Sequence, residues 1–193
     1  MVIIDTNLLK TLDERFIIDG MAEVIKYGCI IDKKLFEFLE QLDMDFFFDN
    51  MDFLVERCVS IKKNVVEEDE FDTGNRMILN FGHTIGHVIE SYYNYEKYTH
   101  GEAVAIGMSY ITALGEDIGL TKTGASHRIN KILDKYGLEK VFPPIDKEDM
   151  IKTIMIDKKG NESGVSFIFI EDIGKAIIKR MSKEEIIKYI SNK

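Results

Sequence analysis

The chain has 193 residues, of which 45% are hydrophobic and 31% charged, and its formal net charge is −9. This size allows one domain with a packed core, and the acidic balance argues against a nucleic-acid partner, which would need a basic surface. The uncharged run at residues 103–115 is too short to span a bilayer, so no membrane partner is expected. Cys29 and Cys58 lack CxxC spacing and are expected to be reduced, buried thiols of a cytoplasmic protein.

In chain order, the hydrophobic pattern predicts mostly helices. A β-branched run at residues 2–4 predicts one short strand, and Asp19-Gly20 is a predicted break or cap within the second helix. The predicted helices cover residues 6–12, 15–31, 32–41, 53–68, 103–115, 126–136, 147–156 and 182–190. The helix at 103–115 carries small residues that suit close packing, and residues 165–170 and 176–178 predict a β-hairpin.

The stretch RMILNFGHTIGHVIE, at residues 76–90, is the most informative part of the sequence. If it forms one helix, its polar side chains fall on one face at steps of four, three, four and three: Arg76, Asn80, His83, His87 and Glu90. The intervening residues are apolar, so this helix is expected to be buried, where polar groups need partners or a task. A histidine pair at this spacing can also be a solvated face or a satisfied core pair. The third histidine, His100, ten residues after Glu90, favours a metal or catalytic site.

The candidate ligands of such a site are one carboxylate and three imidazoles: Glu23, His83, His87 and His100. This set without thiolates is typical of catalytic zinc, although other divalent metals accept the same ligands. The HTIGH spacing lacks the glutamate of HExxH, so a metalloprotease is not indicated. Glu23 and Lys26, three residues apart on a predicted helix, can equally form a simple intrahelical salt bridge.

Several cationic and amide groups could bind a phosphate or a carboxylate: Lys26, Lys62, Arg76, Asn80, Lys158 and Lys159. The sequence contains neither GxG nor GxxxxGK[ST], so no nucleotide-binding loop is recognised in it. The residues alone therefore predict a mostly helical, metal-binding domain with an anion-binding surface.

Longer motifs extend this interpretation. The segments GMAEVIKYG (20–28), LNFGHTIGH (79–87) and HGEAVA (100–105) together resemble the 3-dehydroquinate synthase family, as do VVEEDE (65–70) after Lys62 and MIDKK (155–159). The resemblance is collinear over nearly the whole chain. It implies the helical C-terminal domain of that fold, mainly α, with a short N-terminal strand and a β-hairpin near the C-terminus, occupying residues 1–193.

The resemblance also implies a role for each site residue. Glu23, His83 and His100 would hold zinc, or another divalent metal such as cobalt, whereas His87 would transfer protons and would not be a ligand. Asp72 would assist proton transfer, although the family usually has Glu there and the shorter side chain changes the geometry. The substrate-binding residues would be Lys26, Lys62, Arg76, Asn80 and one of Lys158 and Lys159.

The implied reaction converts 3-deoxy-D-arabino-heptulosonate 7-phosphate into 3-dehydroquinate and phosphate, in the shikimate pathway of aromatic amino acid biosynthesis, with transient oxidation by NAD. Family members bind NAD mainly through an N-terminal domain, which we expect to be absent from this chain and to be its partner. The chain alone is then expected to be inactive. Two alternative functions stay open: a related sugar-phosphate cyclase and a non-catalytic zinc-binding domain. Assembly as a homodimer also stays open.

Overall fold

The computed structural model describes residues 3–69, 74–157 and 164–191. Within them the helices are α1 (Glu14–Ile30), α2 (Lys33–Gln41), α3 (Met51–Glu68), α4 (His83–Tyr92), α5 (His100–Asp117), α6 (Ala125–Lys135), α7 (Lys147–Asp157) and α8 (Lys183–Ser191). Short 3-10 turns lie at Thr6–Thr11, Met44–Phe46, Phe48–Asn50 and Asn75–Asn80. The predicted mainly α fold is confirmed. None of the described helices is both long enough and apolar enough to cross a membrane.

Helix α1 is continuous, so the predicted break at Asp19-Gly20 is wrong. Its true start is capped by Asp13, whose carboxylate accepts a hydrogen bond from the Arg15 amide. A mid-helix glycine costs only about 1 kcal/mol relative to alanine. Burial of the apolar side chains in the C-terminal half of α1, among them Ile25 at 0% exposure, outweighs that cost.

Helix α5 is the central element of the core and packs against α1, α4, α6 and the first strand. Its predicted close packing through small residues is confirmed at the contact with α4. A Cβ on Gly107 would lie 2.0 Å from the carbonyl oxygen of Gly82, and one on Gly86 would lie 3.3 Å from the backbone of Ala103. The absent side chains therefore let the backbones of α4 and α5 approach each other closely.

The predicted hairpin is confirmed as two antiparallel strands, β1 (Val165–Asp172) and β2 (Lys175–Met181), with Phe169 opposite Ile177. The buried side chains of β1 pack against α5. The predicted strand at residues 2–4 is not formed at Ile3 and Ile4, which are exposed and have no strand partner in the described part of the chain. A strand needs a neighbouring backbone for its hydrogen bonds, which β-branched composition alone does not supply. Cys29 and Cys58 are both free, and Cys29 is buried as predicted, whereas Cys58 is only half-buried.

Candidate metal centre and substrate cleft

The motif at residues 76–90 is not one helix, so its expected single polar face is wrong. A 3-10 turn ends at Asn80, the backbone turns at Gly82 with φ +81°, and α4 begins at His83. The turn is imposed by α5, because a Cβ on Gly82 would lie 2.7 Å from both Met108 Cγ and the Val104 carbonyl oxygen. Only glycine combines this φ with this contact.

Three helices nevertheless bring three of the predicted ligands together. Glu23 comes from α1, His83 from the first position of α4 and His100 from the first position of α5. Glu23 Oε1 lies 3.7 Å from His83 Nε2 and 3.9 Å from His100 Nε2. One ligand atom from each residue lies within 4.8 Å of the others. Metal–ligand distances near 2 Å separate tetrahedral ligand atoms by roughly 3.3 Å, so only a small contraction is needed to bind an ion.

Both imidazole rings are oriented by hydrogen bonds at their other nitrogen. His83 Nδ1 lies 3.1 Å from the Phe81 carbonyl oxygen, and His100 Nδ1 lies 3.1 Å from Glu90 Oε1. In metal sites such contacts fix the tautomer that leaves Nε2 free to bind. Sequence reasoning placed Glu90 on the polar stripe and gave it no role. A histidine that binds a metal usually donates its other ring N–H to an acceptor. That requirement could have identified Glu90 from the sequence.

The two oxygens of Glu23 have different surroundings. Oε2 accepts a hydrogen bond from Lys26 Nζ at 2.6 Å, so the simpler prediction of an intrahelical salt bridge is confirmed. Oε1 is buried and has no hydrogen-bond partner among the residues that the structure describes. An unpaired buried carboxylate oxygen is costly, and a cation between Oε1 and the two imidazoles would satisfy it. The donor set and this unpaired oxygen together fit a divalent metal ion.

Burial keeps His83 in the protonation state that a metal ligand requires. Desolvation, followed by the charge of Lys26, lowers the pKa of His83 to about 4, so its imidazole is neutral at pH 7. Lys26 is only 3% exposed, and burial lowers its pKa as well, although Glu23 opposes that shift. The charge of Lys62, an exposed residue on α3, also lowers the pKa of Lys26.

His87 lies one turn after His83 on α4, with the ring centroids 5.9 Å apart. It is not among the three residues whose ligand atoms converge. Instead it lines a cavity of about 480 Å³ formed by α4, the start of α5 and α7, together with His100, Tyr95 and Thr153. A molecule bound in this cavity would therefore contact His87 and lie beside His100, one of the candidate metal ligands.

Two further predicted residues precede the histidines in the chain. Arg76 and Asn80 are half-buried on the 3-10 turn before α4, which packs against α1 and α3. The Arg76 amide donates a hydrogen bond to Asp69 Oδ2 at 3.1 Å. The turn at Gly82, and not helical periodicity, connects them to the histidines. Asp72, Lys158 and Lys159 lie outside the described residues.

The family model and the curated relatives that match this sequence carry the same name. A family model described as 3-dehydroquinate synthase C-terminal matches residues 20–160. A curated 3-dehydroquinate synthase from Clostridium beijerinckii is 48% identical over 185 residues, covering 95% of this chain and 53% of the relative. Another, from Thermoanaerobacter pseudethanolicus, is 41% identical over 195 residues, covering 98% and 54%. The chain thus spans about half the length of these relatives.

Two solved structures of synthases have the same fold. A 2-epi-5-epi-valiolone synthase from Streptomyces hygroscopicus, with NAD⁺ and Zn²⁺ bound, superposes with a TM-score of 0.83 at 22% identity, covering 97% of this chain and 54% of its own. A 2-deoxy-scyllo-inosose synthase complexed with carbaglucose-6-phosphate, NAD⁺ and Co²⁺ gives a TM-score of 0.80 at 25% identity, covering 97% and 55%.

Proposed function

The chain belongs to the 3-dehydroquinate synthase family, through its C-terminal domain, and from that premise we propose that it is the metal- and substrate-binding half of a 3-dehydroquinate synthase. The complete enzyme would be a phosphate-eliminating lyase that converts 3-deoxy-D-arabino-heptulosonate 7-phosphate into 3-dehydroquinate in the shikimate pathway. The observation that carries the proposal is the convergence of His83 and His100 on the unpaired Glu23 Oε1, beside a cavity lined by His87.

Glu23, His83 and His100 would hold zinc or cobalt. The donor set supports this, and so does the presence of Zn²⁺ or Co²⁺ in the two structural relatives. When bound, such an ion polarises a substrate hydroxyl and holds it in place, while NAD supplies the reversible hydride transfer. Three protein ligands would leave room for the substrate to approach the ion. The substrate could do so through the cavity that adjoins His100.

NAD would be bound mainly by an N-terminal domain. Two observations support this division: the sequence lacks a glycine-rich nucleotide loop, and the chain spans about half of its relatives. The proposed partner domain would close over the metal centre, exclude water and hold the nicotinamide against the substrate. The described helices would form the other wall of that site.

The basic side chains would bind the two anionic ends of the substrate. Lys26 contacts Glu23, Lys62 is close enough for its charge to act on Lys26, and Arg76 and Asn80 lie on the turn that leads into His83. Together with one of Lys158 and Lys159 they would fix the carboxylate and the phosphate. Holding both ends places the reacting carbon beside the metal ligands, and this positioning supplies part of the barrier reduction.

His87 would move protons. It lines the cavity but lies outside the converging ligand set, so its imidazole can face substrate without being bound to the ion. We propose Asp72 as its partner in proton transfer, from the family pattern alone. Its side chain is one methylene shorter than the usual Glu, so the proton path would differ in length.

A related sugar-phosphate cyclase is the second candidate, because the structural relatives make valiolone and inosose rings. The higher identity of the curated 3-dehydroquinate synthases, 41–48% against 22–25%, favours the first candidate. A non-catalytic zinc-binding domain is the third. The experiment is to measure phosphate release from the heptulosonate phosphate and from other sugar phosphates, with NAD and zinc.

This assay compares the 193-residue chain with the same chain completed by an N-terminal NAD-binding domain. We expect turnover on the heptulosonate phosphate by the completed enzyme and none by the chain alone. Turnover on another sugar phosphate only would favour the second candidate, and no turnover by either protein would favour the third. Comparable turnover by the chain alone would contradict the proposed division of the site.

A further inference from the structure

A set of polar contacts joins the middle of α1 to the first turn of α5. Asp19 Oδ1 accepts hydrogen bonds from the backbone amides of Gly101, at 2.6 Å, and of Glu102, at 3.3 Å. These are two of the amides that a helix leaves unpaired at its N-terminus. The helices approach so closely here that a Cβ on Gly101 would lie 2.1 Å from the Asp19 carbonyl oxygen. Residue 101 therefore has to be glycine for the contact to form.

A second layer surrounds this contact. Arg15, one turn before Asp19, meets the Glu102 carboxylate with Nε 3.2 Å from Oε1 and Nη2 3.0 Å from Oε2. Glu102 also accepts a hydrogen bond from the Thr99 amide at 2.9 Å, and its own amide faces the Thr99 hydroxyl in a capping box. The first turn of α5 is thus fixed both to itself and to α1.

The contact spans the two helices that carry metal-ligand candidates. Asp19 and Glu23 are four residues apart on α1 and therefore share a face, while His100 directly precedes Gly101 on α5. Any movement of the first turn of α5 relative to Asp19 would change the 3.9 Å separation of Glu23 Oε1 and His100 Nε2. His100 is the first residue of its helix and is exposed, so packing alone constrains it weakly.

We propose that Asp19 is a positioning residue of the metal centre, which sets His100 against Glu23 by binding the amides of Gly101 and Glu102. The Arg15–Glu102 ion pair strengthens the same contact between α1 and the first turn of α5. The proposal rests on the proposed function only in taking Glu23, His83 and His100 as metal ligands. Asp19 does not touch the ion itself and acts through His100.

The test is the zinc affinity of the full chain, measured by competition with a chromophoric chelator. Removing an outer partner of a metal ligand typically lowers affinity by about 10–100-fold, and we expect a loss of this size for Asp19→Ala. Asp19→Asn keeps an accepting oxygen at the same reach from the backbone, so we expect affinity within roughly threefold of the parent. The visible absorption of the Co²⁺-loaded chain should change with Asp19→Ala and be preserved with Asp19→Asn.

The chain offers a matched control in Asp146, whose carboxylate accepts hydrogen bonds from the Glu148 and Asp149 amides at 2.8 and 3.4 Å. It caps α7, which carries none of the three converging residues. Asp146→Ala should lower the thermal stability of the metal-free chain and leave zinc affinity unchanged. If Asp19→Ala does not fold, Asp19→Ser, whose side chain is too short to reach both amides, replaces it with the same expected loss.

Equal effects of the Asp19 and Asp146 substitutions on zinc affinity would overturn the proposal, and so would unchanged affinity in Asp19→Ala. Failure of Asp19→Asn to retain affinity would also overturn the assignment to the accepting oxygen. These measurements need no turnover, so a negative phosphate-release assay would contradict the proposed function and leave this inference standing. Absence of zinc binding by the parent chain would overturn the metal centre and the inference together.

Discussion

Glu90 Oε1 lies 3.1 Å from His100 Nδ1, and the Glu90 carboxylate is buried between α4 and α5. The contact joins the last full turn of one helix to the first residue of the next. It leaves His100 Nε2 as the nitrogen that faces Glu23. A carboxylate hydrogen-bonded to the outer nitrogen of a histidine fixes the orientation of its ring, so Glu90 belongs to the candidate metal centre although it is not one of the converging residues.

The first prediction follows from this contact. Glu90→Ala should lower zinc affinity by about 10–100-fold, because His100 would lose the partner that holds its tautomer and ring orientation. Glu90→Gln keeps an acceptor oxygen and should retain more of the affinity. The measurement is zinc competition with a chromophoric chelator. A larger loss in Glu90→Gln than in Glu90→Ala would contradict the orienting role.

The second prediction concerns the ligands themselves. His100→Ala should remove most bound zinc, because it leaves only Glu23 and His83 to hold the ion. His127, exposed on α6, is the control histidine, and His127→Ala should leave zinc content unchanged. Metal content of the purified variants by elemental analysis distinguishes them. Equal losses in both variants would exclude the assigned ligand set.

The spacing of apolar residues predicts those elements whose stabilising contacts are made by residues close in sequence. Helix α2 is predicted because its apolar residues recur at helical spacing, and in the structure Asp32 caps it, with its carboxylate oxygen 3.1 Å from the Leu35 amide nitrogen. The hairpin was predicted for a similar reason, because Gly174, at φ +85°, permits the turn between two β-branched runs. In each case the residues that decide the structure are close in sequence.

The features that local pattern missed depend on contacts between distant residues. The turn at Gly82 is imposed by Met108 and Val104 on α5, so the residues around it read as one continuous helix. Asp19 looked like a break in its own helix and instead caps another helix more than eighty residues away. Motif resemblance predicted Glu23, His83 and His100 as metal ligands, and the structure brings one ligand atom from each within 4.8 Å of the others. The partners that orient them become visible only in three dimensions.

The third prediction compares two mid-helix glycines, Gly107, which is tightly packed, and Gly20, which is not. Gly107→Ala would drive a Cβ to 2.0 Å from the Gly82 carbonyl oxygen, which is backbone and cannot rotate away. Overpacking of this kind costs about 1–3 kcal/mol, and more where backbone must move. An added Cβ on Gly20, within α1, would meet no described residue outside its own helix turn within 4 Å, so Gly20→Ala should stabilise by about 0.5–1 kcal/mol.

Chemical denaturation of the metal-free chain measures both changes. Helix propensity alone would make both substitutions stabilising, because each replaces a mid-helix glycine. Stabilisation by Gly107→Ala would therefore show that the α4–α5 contact is looser than the structure indicates. Destabilisation by Gly20→Ala would show that the exposed face of α1 is in contact with something other than solvent.

The fourth prediction separates His87 from the ligands that flank it. In the enzyme completed by an NAD-binding domain, His87→Ala should lower kcat by about 10²–10⁴-fold, the range for loss of a general acid–base residue. Zinc content should stay near that of the parent, because the His87 ring is outside the converging set and its centroid is 5.9 Å from that of His83. The paired measurement of kcat and bound zinc is decisive, since HTIGH spacing by itself permits either role. Loss of zinc in His87→Ala would make it a ligand, whereas normal kcat with normal zinc would remove it from the mechanism.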